Sequence, residues 1–359
     1  MNSSAVDQEK ILLIWDRIGE YHAARFRAME TIYGKGNVLI ANLGGADRLY
    51  QWENPLAGDD TFFALSSKPV EEPDAANRLR KFKELVKSKG VRIVGIAGYG
   101  RTEYRQMLHW CKWKGIRVIL FAESWYPGKL DFLKGIYLRF FCHGFLVSGK
   151  QAAIHFSKNL MLPRNSIRTP YSVVDNRHFA SVEPALDSKK ILCVARFSPE
   201  KNLEKLLLAF GMSGIASKGW RLELVGAGPL EKALKNKGFE GIQFRSWVGY
   251  DELPALYQSG AALILPSTFE PWGLVVNEAM ASGLPVAVSE ESGCAPDLVP
   301  DSSFRFPAAD LNKMATVLEM LASMGASKRK ETGEQNRRHV AAFSPEAWAE
   351  AFLSFTLPA

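Results

Sequence analysis

The chain lacks most of what would place it in a specialised class. Its 359 residues hold four cysteines, Cys111, Cys142, Cys193 and Cys294, without paired metal-ligand spacing and in apolar surroundings. That excludes a disulfide framework or a zinc ribbon and points to reduced, buried thiols. No apolar run is long enough to span a bilayer. Residues 1–10 are polar, and the apolar run 11–15 is too short for the core of a signal peptide, so a cytoplasmic protein is expected. There is no zinc finger, no RNA-binding aromatic signature and no basic tail, and nucleic acid is not expected as a partner. Nor is there an Asp-x-Asp pair, so a carboxylate-held magnesium is not suggested.

What is present is an ordinary globular balance, 47% hydrophobic and 23% charged, over a length that suits two domains. The charge is unevenly divided. Residues 1–170 carry 26 Lys and Arg against 16 Asp and Glu, net +10, whereas residues 171–359 carry 19 against 22, net −3. A basic first half suits an anionic partner such as a membrane surface, and a peripheral location on the cytoplasmic face of a membrane follows as an expectation.

Short apolar runs alternate with helical periodicity through both halves. Residues 11–15, 37–41, 91–97, 116–123 and 144–149 read as strands of a first α/β domain, and 190–195, 222–225, 242–249 with its turn, and 261–265 as strands of a second. Ligands of open α/β sheets gather at the C-terminal ends of strands. Asp16, Tyr21 and His22, in the loop after the first strand, are therefore candidates for contact with an acceptor, as are Tyr99, Glu123 and Ser124 after later ones; a plain polar loop is the competing reading for each. Gly98-x-Gly100 between a strand and a helix approaches a dinucleotide fingerprint, but its third glycine position holds Glu103, whose carboxylate would face a pyrophosphate. Asp74 is placed to cap a helix running to about Ser88, with Leu79, Phe82 and Val86 inward and Arg78, Arg80, Lys81, Lys83, Lys87 and Lys89 mostly outward, a face that is either solvated or laid on anionic lipid. Residues 131–142 are rich in aromatics, for which core packing and membrane contact are the two readings. Ser198-Pro199-Glu200 carries the marks of a helix start.

One stretch organises the rest. A buried strand closed by Pro266-Ser267 leads into Phe269-Glu270-Pro271-Trp272-Gly273-Leu274, where Gly273 opens a helix that puts Leu274, Asn277 and Glu278 on one side and ends at Ser282-Gly283. The N–H groups at such a helix start suit a phosphate, and a bare carboxylate beside them suits hydroxyls. A nucleotide-sugar combines both.

Glu270 and Glu278, separated by seven residues, with Pro-aromatic-Gly-Leu after the first, resemble the signature of the family-4 retaining glycosyltransferases. Ala-Arg-Phe-x-x-x-Lys-Asn around Arg196 and Lys201 resembles the same family's diphosphate grip. The resemblance implies a GT-B fold: two Rossmann-like α/β/α domains facing each other across a cleft, with residues 1–180 binding the acceptor, 181–340 the nucleotide-sugar, and 341–359 forming a helix that crosses back to the first domain. It implies retaining, metal-independent transfer of a sugar from a nucleotide-sugar, a UDP- or GDP-sugar of undetermined base, to an acceptor hydroxyl on a glycan or lipid-linked precursor. No cofactor is implied. Arg196 and Lys201 would stabilise the departing diphosphate, Glu270 would hold the donor sugar, and Glu278 the ribose. Gly226, Val248, Gly273 and Leu274 would line the donor site. The segment 292–299 departs from the family pattern at Cys294 and Asp297, and the acceptor base has no assigned residue, with Glu123, His22 or the leaving phosphate as candidates. A non-catalytic nucleotide-sugar or lipid-binding scaffold and a sugar-nucleotide epimerase are the alternatives on the same fold.

Overall fold

A computed structural model describes residues 8–45, 54–181 and 183–356; residues 1–7 of the polar N-terminal stretch lie outside the described residues. The chain divides into two units. One comprises the chain up to Ser148, Ala152–Tyr171 and the segment from Pro345 onward, and the other comprises Gly149–Gln151 and Ser172–Ser344. Apart from Gly149–Gln151, the second unit thus begins at Ser172, before the boundary at 180/181 that the resemblance implies. Residues 172–180 are tied into it by Asn176 Nδ2, which donates to Val340 O (3.1 Å), and by Phe179, packed edge-on to Tyr257.

In the first unit seven parallel strands, β1 (Lys10–Trp15), β2 (Val38–Asn42), β3 (Phe62–Ala64), β4 (Val91–Ala97), β5 (Arg117–Ala122), β6 (Gly144–Val147) and β7 (Ile167–Arg168), lie in the order β3-β2-β1-β4-β5-β6-β7. A central parallel strand is covered on both faces, and Ile11 to Trp15 are all buried accordingly. Strand order reverses between β1 and β4, the switch point at which doubly wound sheets bind ligands. The helix Pro345–Leu353 packs on the helix Glu20–Tyr33, and its Trp348 meets Trp15 and Phe121 at ring separations of 6.2 and 5.6 Å. Such aromatic contacts add about 0.5–1.5 kcal/mol beyond area burial, and they fix the C-terminal helix to this unit.

Two local expectations change. Arg78 does not face solvent: it is fully buried in the helix Ala75–Lys89, on the face of Phe82 and Leu85, because its guanidinium has four acceptors inside. Asp74 stands at the helix start, but its carboxylate takes Ser66 Oγ (2.5 Å) and Asn77 Nδ2 (2.9 Å) instead of capping backbone N–H groups.

In the second unit six parallel strands, β8 (Lys190–Val194), β9 (Arg221–Val225), β10 (Ile242–Arg245), β11 (Ala262–Leu265), β12 (Val286–Ser289) and β13 (Arg305–Phe306), repeat the pattern in the order β10-β9-β8-β11-β12-β13. Their switch point lies between β8 and β11. The helix after β8 starts at Leu203, not at Pro199, because a single 3₁₀ turn, Pro199–Lys201, is followed by Asn202 at φ +56°. Asparagine tolerates this left-handed conformation. Leu203, Leu206, Leu207 and Phe210 of that helix then enter the core as their spacing predicts.

Candidate functional site

Four loops of the second unit meet on the C-terminal side of its sheet. The loop after β8 carries Arg196 and Lys201, and Asn202 pins it in place by donating to Pro266 O (3.1 Å) after β11 and to Ala308 O (2.8 Å) after β13. The loop after β9 lies against it: Phe197 N–H donates to Ala227 O (2.9 Å). Gly226 makes this approach possible, since a Cβ there would fall 2.1 Å from Ala195 O and its φ is +143°. The loop after β12 runs beside Glu270, which donates its N–H to Glu291 O (3.3 Å) and accepts at its O from Gly293 N–H (2.9 Å).

Lys201 Nζ donates to Glu270 Oε2, and the two side chains are only 19% and 11% exposed. A cation and a carboxylate so nearly removed from water interact far more strongly than a surface pair. Arg196 by contrast is exposed, and its guanidinium has no hydrogen-bond or ion-pair partner among the described residues. Gly273, at φ +102°, turns the chain into the helix Leu274–Ala281 without a side-chain cap. Val276 N–H is taken by Gly273 O (2.9 Å), whereas the N–H groups of Leu274 and Val275 find no acceptor among the described residues. A helix start of this kind is suited to an anion. Trp272 is buried beside it, its Nε1 donating to Asn277 Oδ1 (2.8 Å), so the turn is braced from the helix it opens.

Glu278 lies one turn into that helix, only 2% exposed, and accepts the Tyr257 hydroxyl at 2.5 Å. Tyr257 has no signal in the sequence, being 21 residues distant. Val248 is buried beyond β10. Cys294 is buried against the site, with its N–H on Trp272 O (3.1 Å), and burial pushes its thiol well above the usual range. Asp297 accepts from Lys150 N–H (2.9 Å), and burial raises its carboxyl despite that bond. Tyr257→Phe is expected to lower stability by about 1–3 kcal/mol, because a buried carboxylate loses a donor; chemical denaturation measures it.

The residues singled out in the first unit are brought together only in part. Asp16 is held by Arg101 Nε (2.7 Å) and the Tyr104 hydroxyl (2.6 Å). Tyr21 and His22 belong to the first turn of the helix Glu20–Tyr33 and not to the preceding loop. His22 Nδ1 accepts from Gly19 N–H (3.2 Å), its ring lies 5.0 Å from that of Trp15, and burial aided by Arg25 lowers its pKa to about 3. That makes it a weak base at neutral pH. Sequence reasoning missed Arg25, buried 4.8 Å over the Tyr171 ring and within the electrostatic reach of Glu123 and Tyr21. It is a cation around which those two candidates gather. Ser124 is exposed. Tyr99 is half-buried, its phenol raised by burial. Glu103, which spoils the dinucleotide fingerprint, is occupied by Arg78 Nη1 (2.7 Å).

Residues 174–339 match the family described as "Glycosyl transferases group 1". Among curated proteins, sulfoquinovosyl transferase SQD2 of Arabidopsis thaliana is 34% identical over 162 residues, which is 41% of this chain and 31% of that relative. The chain spans about a third of the length of the curated relatives it first matches. Among solved structures, a glycosyltransferase from Rickettsia africae superposes with a TM-score of 0.77 at 14% identity, covering 98% of this chain and 100% of the other. Anabaena HepE, solved in complex with UDP and glucose, gives 0.73 at 13% identity, covering 97% and 99%. Likenesses of this extent establish the fold, a GT-B fold, and residues 174–339 match the model of a glycosyl transferases group 1 domain.

Proposed function

We propose that the chain is a family-4 glycosyltransferase that moves a sugar from a nucleotide-sugar to an acceptor hydroxyl with retention of configuration and without a bound metal. The observation that carries this reading is the grouping of Arg196, Lys201 and the open helix start at Leu274 and Val275 around the β8–β11 switch point. Two cations, one of them shared with Glu270, and two N–H donors suit the oxygens of a diphosphate. In this reading the bond from the anomeric carbon to the diphosphate oxygen breaks, and the acceptor oxygen bonds to the same carbon from the same face. With His22 feebly basic, Glu123 and the leaving phosphate are the groups left to take the acceptor's proton, and in this reading it passes to the phosphate. Glu270, fixed by Lys201, holds the donor sugar's hydroxyls, and Glu278, aligned by Tyr257, holds the ribose. The acceptor is a glycan or lipid-linked precursor.

A panel of UDP- and GDP-sugars with candidate acceptors should give a product whose anomeric configuration, read by NMR, equals that of the donor, at a rate that a chelator leaves unchanged. Inversion, or loss of activity restored by magnesium, would overturn the mechanism. Sugar conversion without an acceptor would move the reading to an epimerase, and donor binding without turnover to a scaffold.

A further inference from the structure

The helix Asp131–Phe141 is built inside out. Its inner stripe, Asp131, Gly135 and Leu138, is buried, while Phe132, Leu133, Ile136 and Phe140, with Leu130 just before them, are each between 54% and 61% exposed. At about 100° per residue these four fall within roughly a quarter of the circumference. Single exposed apolar residues need no explanation, but a contiguous row on one helix face does.

Nor can the helix roll to hide that row. A Cβ at Gly135 would lie 1.8 Å from Leu160 O, so the inner face is seated directly on neighbouring backbone. The one carboxylate of the helix is turned inward, where Asp131 accepts from Gly128 N–H (2.6 Å) and Lys134 Nζ (3.0 Å). The rim is cationic. Lys129 and Arg139 are exposed at its margins, and Lys112 Nζ sits 4.7 Å from the Phe140 ring centre. Next to Lys112 stands Trp113, 85% exposed, followed by exposed Lys114.

We propose that this face is a docking surface for an anionic lipid bilayer, with Phe132, Leu133, Ile136 and Phe140 entering the headgroup boundary while Lys112, Lys129 and Arg139 meet lipid phosphates. Apolar side chains inside a ring of cations are the requirement for interfacial binding. Charge complementarity selects the bilayer over a second copy of the chain, since a two-fold contact through this face would set its cationic rim against itself. The basic face of the helix Ala75–Lys89 is the weaker anchor, because its apolar side chains Phe82, Leu85 and Val86 all point inward. Docking here goes beyond sugar transfer and is independent of it.

The test is co-sedimentation of the full chain with vesicles of phosphatidylcholine alone or mixed with phosphatidylglycerol, at low and at high salt. Binding should require phosphatidylglycerol and weaken with salt. Ile136→Ser with Phe140→Ser should reduce it by about tenfold or more at an unchanged melting temperature, because both side chains already face water. Lys129→Glu with Arg139→Glu, which leaves the apolar row intact, should abolish the preference for phosphatidylglycerol. The proposal fails if the chain ignores anionic vesicles at low salt, or if neither pair of substitutions alters binding. It also fails if the unsubstituted chain is a dimer that Ile136→Ser with Phe140→Ser makes monomeric, which would assign the face to a second copy.

Discussion

Replacing Lys201 with alanine is expected to lower turnover with the correct donor by about 10²–10³-fold, the loss typical of removing one preorganised donor from a developing oxyanion. The backbone around Lys201 is fixed independently of its side chain: its N–H bonds Ser198 O (3.0 Å), and the next residue, Asn202, is anchored by its own side chain to two other loops. The substitution therefore removes a charge without moving the loop. It also takes from Glu270 its lysine partner, so a fall in activity alone could come from a displaced carboxylate. The double variant Lys201→Ala with Glu270→Gln separates the two causes. If Lys201 serves only to hold Glu270, the neutral amide restores order at the site, and the double variant does no worse than Glu270→Gln. If the ammonium acts on the diphosphate, the double variant stays well below Glu270→Gln, and calorimetry shows donor affinity weakened by at least about tenfold. Turnover within threefold of the unsubstituted chain would remove Lys201 from the chemistry.

The segment that fixes this chemistry was legible because its constraints are local. Pro266-Ser267 ends a strand, Gly273 is the residue that can take φ +102°, and the apolar spacing after it makes the helix; each follows from neighbours a few positions away. The central strands were legible for the same reason, being continuous apolar runs. What escaped is settled by contacts distant in sequence. Tyr257 reaches Glu278 across 21 residues, Arg25 lies over Tyr171 across the unit, and the short strands β3, β7 and β13 are too brief to show a period. The helix at Glu20 was missed because its first turn, Glu20-Tyr21-His22, is polar and its cap is a glycine, so the stretch resembles a loop until His22 Nδ1 is seen accepting from Gly19. Ser198-Pro199-Glu200 misled in the opposite direction: the hydroxyl that would cap a helix bonds the Glu200 carboxylate (2.5 Å), and the turn stops at Asn202.

Arg78 is the sharpest case, and it carries the largest expected effect on stability. Read by period it belongs with the outward cations, but it has no exposed surface, and its guanidinium spans three segments. Nε donates to Leu43 O (2.9 Å) after β2, Nη2 to Pro69 O (2.8 Å), and Nη1 to Glu103 Oε1 (2.7 Å) in the first turn of the helix Thr102–Trp113, with Val70 O at 3.5 Å. A buried ion pair adds little net stability beyond an apolar replacement of both partners, because desolvation offsets attraction; removing one partner is costly, since the other charge stays buried. Arg78→Met keeps most of the volume and strands the Glu103 carboxylate and the Leu43 carbonyl, whereas Pro69 O keeps Glu72 N–H (3.1 Å). It should destabilise the first unit by about 3–5 kcal/mol, which lowers its unfolding midpoint by roughly 6–20 °C at about 2–4 °C per kcal/mol. Glu103→Gln, which preserves an acceptor for Nη1, should cost much less. Arg78→Met with Glu103→Gln should recover part of the loss, because the stranded charge is gone while the carbonyl of Leu43 remains without its donor. A midpoint for Arg78→Met within 2 °C of the unsubstituted chain would mean that water reaches Glu103 and that Arg78 is not the bolt joining the loop after β2 to the helix after β4.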